Sequence, residues 1–193
     1  RNALTALSRW KILDNLRRSL VPVAVLALLV TGWLLISPVH SWTVAVLSMV
    51  LVPPLLSALL DLVQKPREVQ LDQHLRAGFK AGMQHLARMA LGLAWLPHEA
   101  LYHLDAIVRT LWRMAISQRH LLQWRTSREV ERRSDNAPAA LWRPMWIGPL
   151  LAVLLGVTLV LQRPQALWLA MPLLLLWLAS PAIAWWISQP RTL

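Results

Sequence analysis

The sequence predicts an all-α membrane protein: two transmembrane helical hairpins flanking a cytoplasmic segment of amphipathic interfacial helices. Three observations predict it. The chain is 56% hydrophobic over 193 residues, with a mean hydropathy of +0.45. Its apolar residues gather into four runs separated by turns or by one long polar stretch. Its charge is lopsided, with 20 Lys+Arg against 9 Asp+Glu, and the basic residues avoid the short turns. Together these describe a bilayer protein with a positive cytoplasmic face. A nucleic-acid binder would instead carry its basic residues along a polar surface, interleaved with base-reading motifs.

Residues 1–19 form a charged lead-in holding five Lys+Arg, Arg17 and Arg18 among them. The chain begins with Arg1 and shows no signal-peptide pattern, so it reads as a piece of a longer polypeptide. Residues 20–63 form the first hairpin. Its spans are Leu20 to Ile36 and Trp42 to Val63, joined through "SPVHS". Seventeen apolar residues are at the short end of what crosses a hydrocarbon core. The second span contains Pro53-Pro54, expected to kink or break it, because proline has no N–H and clashes with the preceding turn.

Residues 64–143 carry 13 Lys+Arg and 7 Asp+Glu. From Leu71 the apolar residues fall at Leu71, Leu75, Phe79, Met83 (or Gly82), Leu86, Met89 (or Ala90) and Leu93, the helical period. Arg76, Lys80, Gln84 and Arg88 occupy the other face. Such a helix suits the headgroup plane, or alternatively packs on a cytoplasmic domain. Pro97 suits a first helical turn and predicts the start of a second helix. That helix carries a stripe at Leu101, Leu104, Val108, Leu111 (or Trp112) and Ala115 and runs towards Trp124. Glu99–His103 and Asp105–Arg109 are i,i+4 pairs in the favourable acid-first order. A second hairpin over 144–187, with spans Trp146 to Leu161 and Ala166 to Ile187 joined by "QRPQ", leads to a cytoplasmic exit at 188–193. The short third span is extended by Arg143 snorkelling to the surface. The hairpin turns hold at most one Lys+Arg each, so the positive-inside rule places both termini and the middle segment in the cytoplasm.

The residues offer little chemistry. There is no cysteine, hence no disulfide and no thiolate nucleophile or ligand. GxxxxGK[ST], GxGxxG and GxSxG are absent. "HEALYH" suggests a zinc-protease helix, but His98 and His103 are five apart and point about 140° apart around a helix. Glu99 instead favours a helix N-terminus. Asp61 ends its span on the cytoplasmic side, where a carboxylate is exposed. No catalytic residue, metal site or resident cofactor is expected here. The 12 tryptophans suit membrane–water boundaries, where the ring is apolar and the N–H is wet.

"LSRWKILDNLRRSLVP" (Leu7 to Pro22) and "LPHEALYHLDAIVRTLWRMAISQRHLLQWRT" (Leu96 to Thr126) resemble stretches that follow the glycosyltransferase domain in bacterial cyclic β-1,2-glucan synthases. Gln123 stands where that family often has an acidic residue. The resemblance implies a fragment of a multi-module inner-membrane enzyme. An upstream domain would polymerise glucose from UDP-glucose with a divalent metal, and downstream carbohydrate-active modules would trim and cyclise the glucan. The implied partners are the bilayer, those modules and the growing glucan, with no nucleic acid. Trp10, Trp95, Trp112 and Trp124 lie outside the spans and are candidates for glucan contact as well as for interfacial anchoring. Tyr102, the sole tyrosine, is a candidate glucan acceptor, its default role being that of a membrane-level aromatic. Arg17, Arg18, Arg76, Lys80 and Arg88 form the basic membrane-surface set. A transporter or channel fragment and a non-catalytic anchor are the competing readings.

Overall fold

A computed structural model describes residues 5–63, 70–118 and 145–189. Among them the chain is helical throughout, with no strand. α1 is Ala6–Leu34, α2 Val39–Val63, α3 Leu71–Trp112, α4 Ile147–Gln162 and α5 Pro164–Ser188; a π-helical turn, Arg113–Ser117, continues α3. α1, α2 and α5 are long and apolar enough to cross a membrane, while α4 is a shorter apolar helix of 16 residues. At 1.5 Å per residue α4 is about 24 Å long, somewhat less than the hydrocarbon thickness.

Three boundaries differ from those expected. The lead-in is not separate from the first span, because α1 begins at Ala6, with the Thr5 hydroxyl accepting from the Ser8 N–H at 3.2 Å. The Pro53-Pro54 pair does not end α2, which runs through both. α3 likewise runs unbroken through Pro97 for 42 residues, about 63 Å, so the two middle helices are one.

The continuity at Pro97 has a specific cause. Proline removes the N–H that would bond the carbonyl four residues earlier, here that of Leu93. The indole Nε1–H of Trp177 on α5 donates to this carbonyl at 2.9 Å. A neighbouring helix thus satisfies what Pro97 leaves open, which is how helices in apolar surroundings tolerate proline. The device repeats on α5. Pro181 frees the Trp177 carbonyl, and the Ser180 hydroxyl donates to it at 2.8 Å. Gly148 of α4 seats here, since a Cβ on it would lie 2.9 Å from Ser180 Oγ and 3.2 Å from the Trp177 carbonyl oxygen.

The core lies where the two hairpins meet. Leu29, Trp33, Val46, Leu96, Leu155, Leu159, Leu173 and Trp177 are buried together. Trp33 and Trp177 pack with ring centroids 5.8 Å apart, a favourable tilted aromatic contact. Trp33 Nε1–H donates to Thr43 Oγ1 at 3.2 Å, and Trp42 Nε1–H to the Leu28 carbonyl at 2.8 Å. Tryptophans 33 and 177 are therefore cross-links inside the bundle rather than boundary anchors. Gly32 permits the α1–α2 approach, because a Cβ there would fall 2.0 Å from Trp42 Cδ1.

Both hairpin turns sit at one end. Arg163, between α4 and α5, donates to the carbonyls of Ile36 at 3.0 Å and Leu35 at 3.3 Å, covering the open end of α1. α3 begins at the other end and runs back along the bundle to its core at Leu96. Its His74 meets the Leu62 carbonyl in the last turn of α2 at 2.8 Å, and its C-terminal half shares a groove with Ile147, the first residue of α4. Val50 lies beside Met89 and Gly92, and Leu62 beside Gly78, so the second half of α2 runs antiparallel along the first half of α3.

Candidate functional site

The two ends of the bundle differ in chemistry. The turn end carries Ser37, His40, Ser41, Gln162 and Gln165 around the Arg163 tie. The α3 end concentrates polar and aromatic side chains on the C-terminal half of α3.

There, one face of the helix carries His98, Leu101, Tyr102, Asp105, Arg109 and Arg113, at steps of three and four. With Ile147 of α4 they line an open groove of about 920 Å³. Tyr102 is 66% exposed. Its ring faces that of His98 at 6.3 Å between centroids, tilted 29°, and meets His103 edge-on at 6.0 Å. One turn further, Arg109 binds both carboxylate oxygens of Asp105, at 3.1 Å and 2.6 Å. Thr110 donates its hydroxyl to the Ala106 carbonyl at 2.7 Å, leaving its oxygen able to accept. The groove thus offers an aromatic face, a carboxylate, a guanidinium fork and hydroxyls within a few turns. That set can hold a polar molecule by stacking and by hydrogen bonds of both senses. It has no arrangement of nucleophile and base for bond breaking.

Trp95, one turn before His98, is not among the residues lining the groove. Trp95 is half-buried, and its indole N–H is enclosed with no hydrogen-bond partner among the described residues. Trp112 is exposed, off the groove, at the end of α3. Trp10 stands exposed on α1 in a shallow depression with Leu7, Lys11, Asp14, Asn15 and Arg18. The structure therefore does not gather the candidate tryptophans into one site, and Trp124 lies outside the described residues. Sequence reading named Tyr102 but not the groove. The Asp105–Arg109 spacing was read from the sequence, whereas the His98–Tyr102 spacing on the same face, which could have marked it, was not.

The basic set is disposed in two places. Arg17 and Arg18 both pair with Asp14, at 2.9 Å and 2.7 Å. This holds the Asp14 carboxyl below the usual carboxylate range, chiefly through the Arg17 hydrogen bond, against the opposing effect of desolvation. These residues precede the apolar run of α1. Arg76, Lys80 and Arg88 are exposed along the first half of α3. Beside them Phe79, Met83 and Leu86 are also exposed, so the middle of the apolar stripe is not covered by the other described residues.

No family model matches the chain. It is 34% identical, over 155 residues, to the cyclic beta-(1,2)-glucan synthase NdvB of Rhizobium meliloti (strain 1021). The match covers 79% of this chain and 6% of that protein, so the chain corresponds to a small piece of its relative.

Proposed function

We propose that this chain, which is related to the cyclic β-(1,2)-glucan synthases, is a membrane-embedded part of such an enzyme, anchoring and supporting a cytoplasmic glycosyltransferase that polymerises glucose from UDP-glucose. The relative's name supplies the reaction class. The structural observation that carries the anchoring role is α3 itself. It is a 42-residue helix that begins at the end of the bundle opposite the turns and runs back along the second half of α2, with Phe79, Met83 and Leu86 bare next to Arg76, Lys80 and Arg88. A helix with a bare apolar stripe and a basic flank beside membrane spans is suited to the headgroup plane. On the positive-inside rule that plane is the cytoplasmic one of the inner membrane.

In this reading α1, α2, α4 and α5 hold the enzyme in the bilayer, and α3 forms the floor on which the transferase rests. The enzyme's catalytic carboxylates, its UDP-glucose site and its divalent metal belong to an upstream domain, and carbohydrate-active modules follow downstream. Trp10 and Trp112, exposed on α1 and at the end of α3, are available for headgroups or sugar. The centre of the bundle is filled by Trp33, Trp177, Leu29 and Leu159 rather than lined by polar groups, which favours an anchor over a transport path through these helices.

The test is transfer of labelled glucose from UDP-glucose into β-1,2-glucan by membranes from cells with and without the parent gene. Product that depends on the parent is expected. A folded, abundant parent that yields none would overturn the proposal.

A further inference from the structure

Resting on the reading above, we infer that the groove along the C-terminal half of α3 binds the growing glucan as an extended neutral chain, with Tyr102 as its stacking platform and the Asp105–Arg109 pair as its hydroxyl clamp. Three observations carry this.

The first is exposure. A tyrosine ring that is 66% exposed, braced by His98 on one side and His103 on the other, presents an aromatic surface that the other described residues leave open. The axial C–H groups of a pyranose cover such a ring well, because they are apolar and weakly positive against its electron-rich face. The second is charge. An anion such as a lipid phosphate would need donors alone. Here Asp105 sits in the middle of the lining and is ion-paired to Arg109, so it repels an anion and neutralises one of the two arginines. A polyol needs donors and acceptors side by side. The carboxylate, the guanidinium and the Thr110 oxygen provide both. The third is length. From His98 to Arg113 the lining runs along four turns of helix, about 22 Å, which suits a run of hexose units better than a single sugar.

Every side chain proposed to touch sugar is exposed on a single helix, so substitution need not disturb the bundle. The test uses the full-length parent in lipid nanodiscs. Binding of a fluorescent linear β-1,2-glucan oligosaccharide is measured alongside glucose incorporation from UDP-glucose. The expected result is a roughly tenfold or greater loss of affinity in Tyr102→Leu and in Asp105→Asn/Arg109→Gln, the loss of one stacking contact or one charge-assisted pair. Tyr102→Phe, which keeps the ring and lacks the hydroxyl, should bind as the parent does. Helical circular dichroism and thermal midpoints of the variants, matched to the parent, exclude unfolding as the cause.

Glucan affinity unchanged in both groove variants, in a parent that makes glucan, overturns the groove and leaves the synthase reading standing. Oligosaccharide that fails to bind the active parent also overturns it, as does displacement of the probe by anionic lipid but not by unlabelled glucan. A parent that makes no glucan overturns the synthase reading itself.

Discussion

Trp177→Phe tests the idea that α5 supplies the hydrogen bond that Pro97 takes from α3. The substitution keeps an aromatic ring against Trp33, now 5.8 Å away by centroid, and removes the donor 2.9 Å from the Leu93 carbonyl. That carbonyl lies in the core beside Leu96, with no N–H from residue 97 to return to. Leaving a buried acceptor unpaired costs about 1–3 kcal/mol. The smaller ring leaves a void worth about another 1 kcal/mol. The expected loss is therefore about 2–4 kcal/mol. Pro97→Ala in the same protein restores an N–H at position 97, which can bond Leu93 within α3. The double variant should recover the hydrogen-bond part, giving a coupling of about 1–2 kcal/mol. The assay is unfolding of the nanodisc-reconstituted protein, followed by helical circular dichroism, for the four members of the cycle. Strict additivity of the two substitutions would refute the reasoning.

Other outcomes follow from single contacts. Gly32→Leu should push Trp42 out of its bond to Leu28 and splay the first hairpin; the effect would be overpacking of about 1–3 kcal/mol, read as a lower thermal midpoint. Arg163→Ala opens the end of α1 and uncouples the hairpin turns, and a spin-label pair at Pro38 and Gln165 should show a broader distance distribution. Asp14 should titrate below an ordinary aspartate in a carboxyl-carbon NMR titration of the labelled protein. Because its pKa is lowered in the fold, its ion pairs contribute above the unfolded pKa and are lost as pH falls through the folded one; Arg17→Gln should move the midpoint up. Replacing Arg76, Lys80 and Arg88 together by Gln should weaken retention of anionic lipid, with parent-like retention counting against a headgroup-level α3.

The helical hairpins were legible because a bilayer imposes long apolar runs and leaves charge only outside them. The positions of Pro53-Pro54 and Pro97 were legible, but not their consequences. At Pro97 the freed Leu93 carbonyl finds a partner on another helix, and that partner, Trp177, is 84 residues away in sequence. The same distance hid the roles of Trp33 and Trp177, since composition reports that tryptophan is abundant and not which ring faces a neighbour. Within the site, local spacing announced Asp105–Arg109, and the structure shows that pair at 2.6 Å. The histidine spacing already argued against a zinc helix. The groove itself depends on Ile147 of α4 meeting α3, a tertiary fact that no local pattern carries.

The central claim is that this segment supports glucan synthesis specifically and is more than a tether. The most direct measurement replaces residues 1–193 in the parent by an unrelated membrane segment of two hairpins and follows glucose transfer from UDP-glucose into glucan. The account predicts that the chimaera stays in the membrane in normal amount yet loses most of its synthesis. Glucan formation at the parent's rate would contradict it.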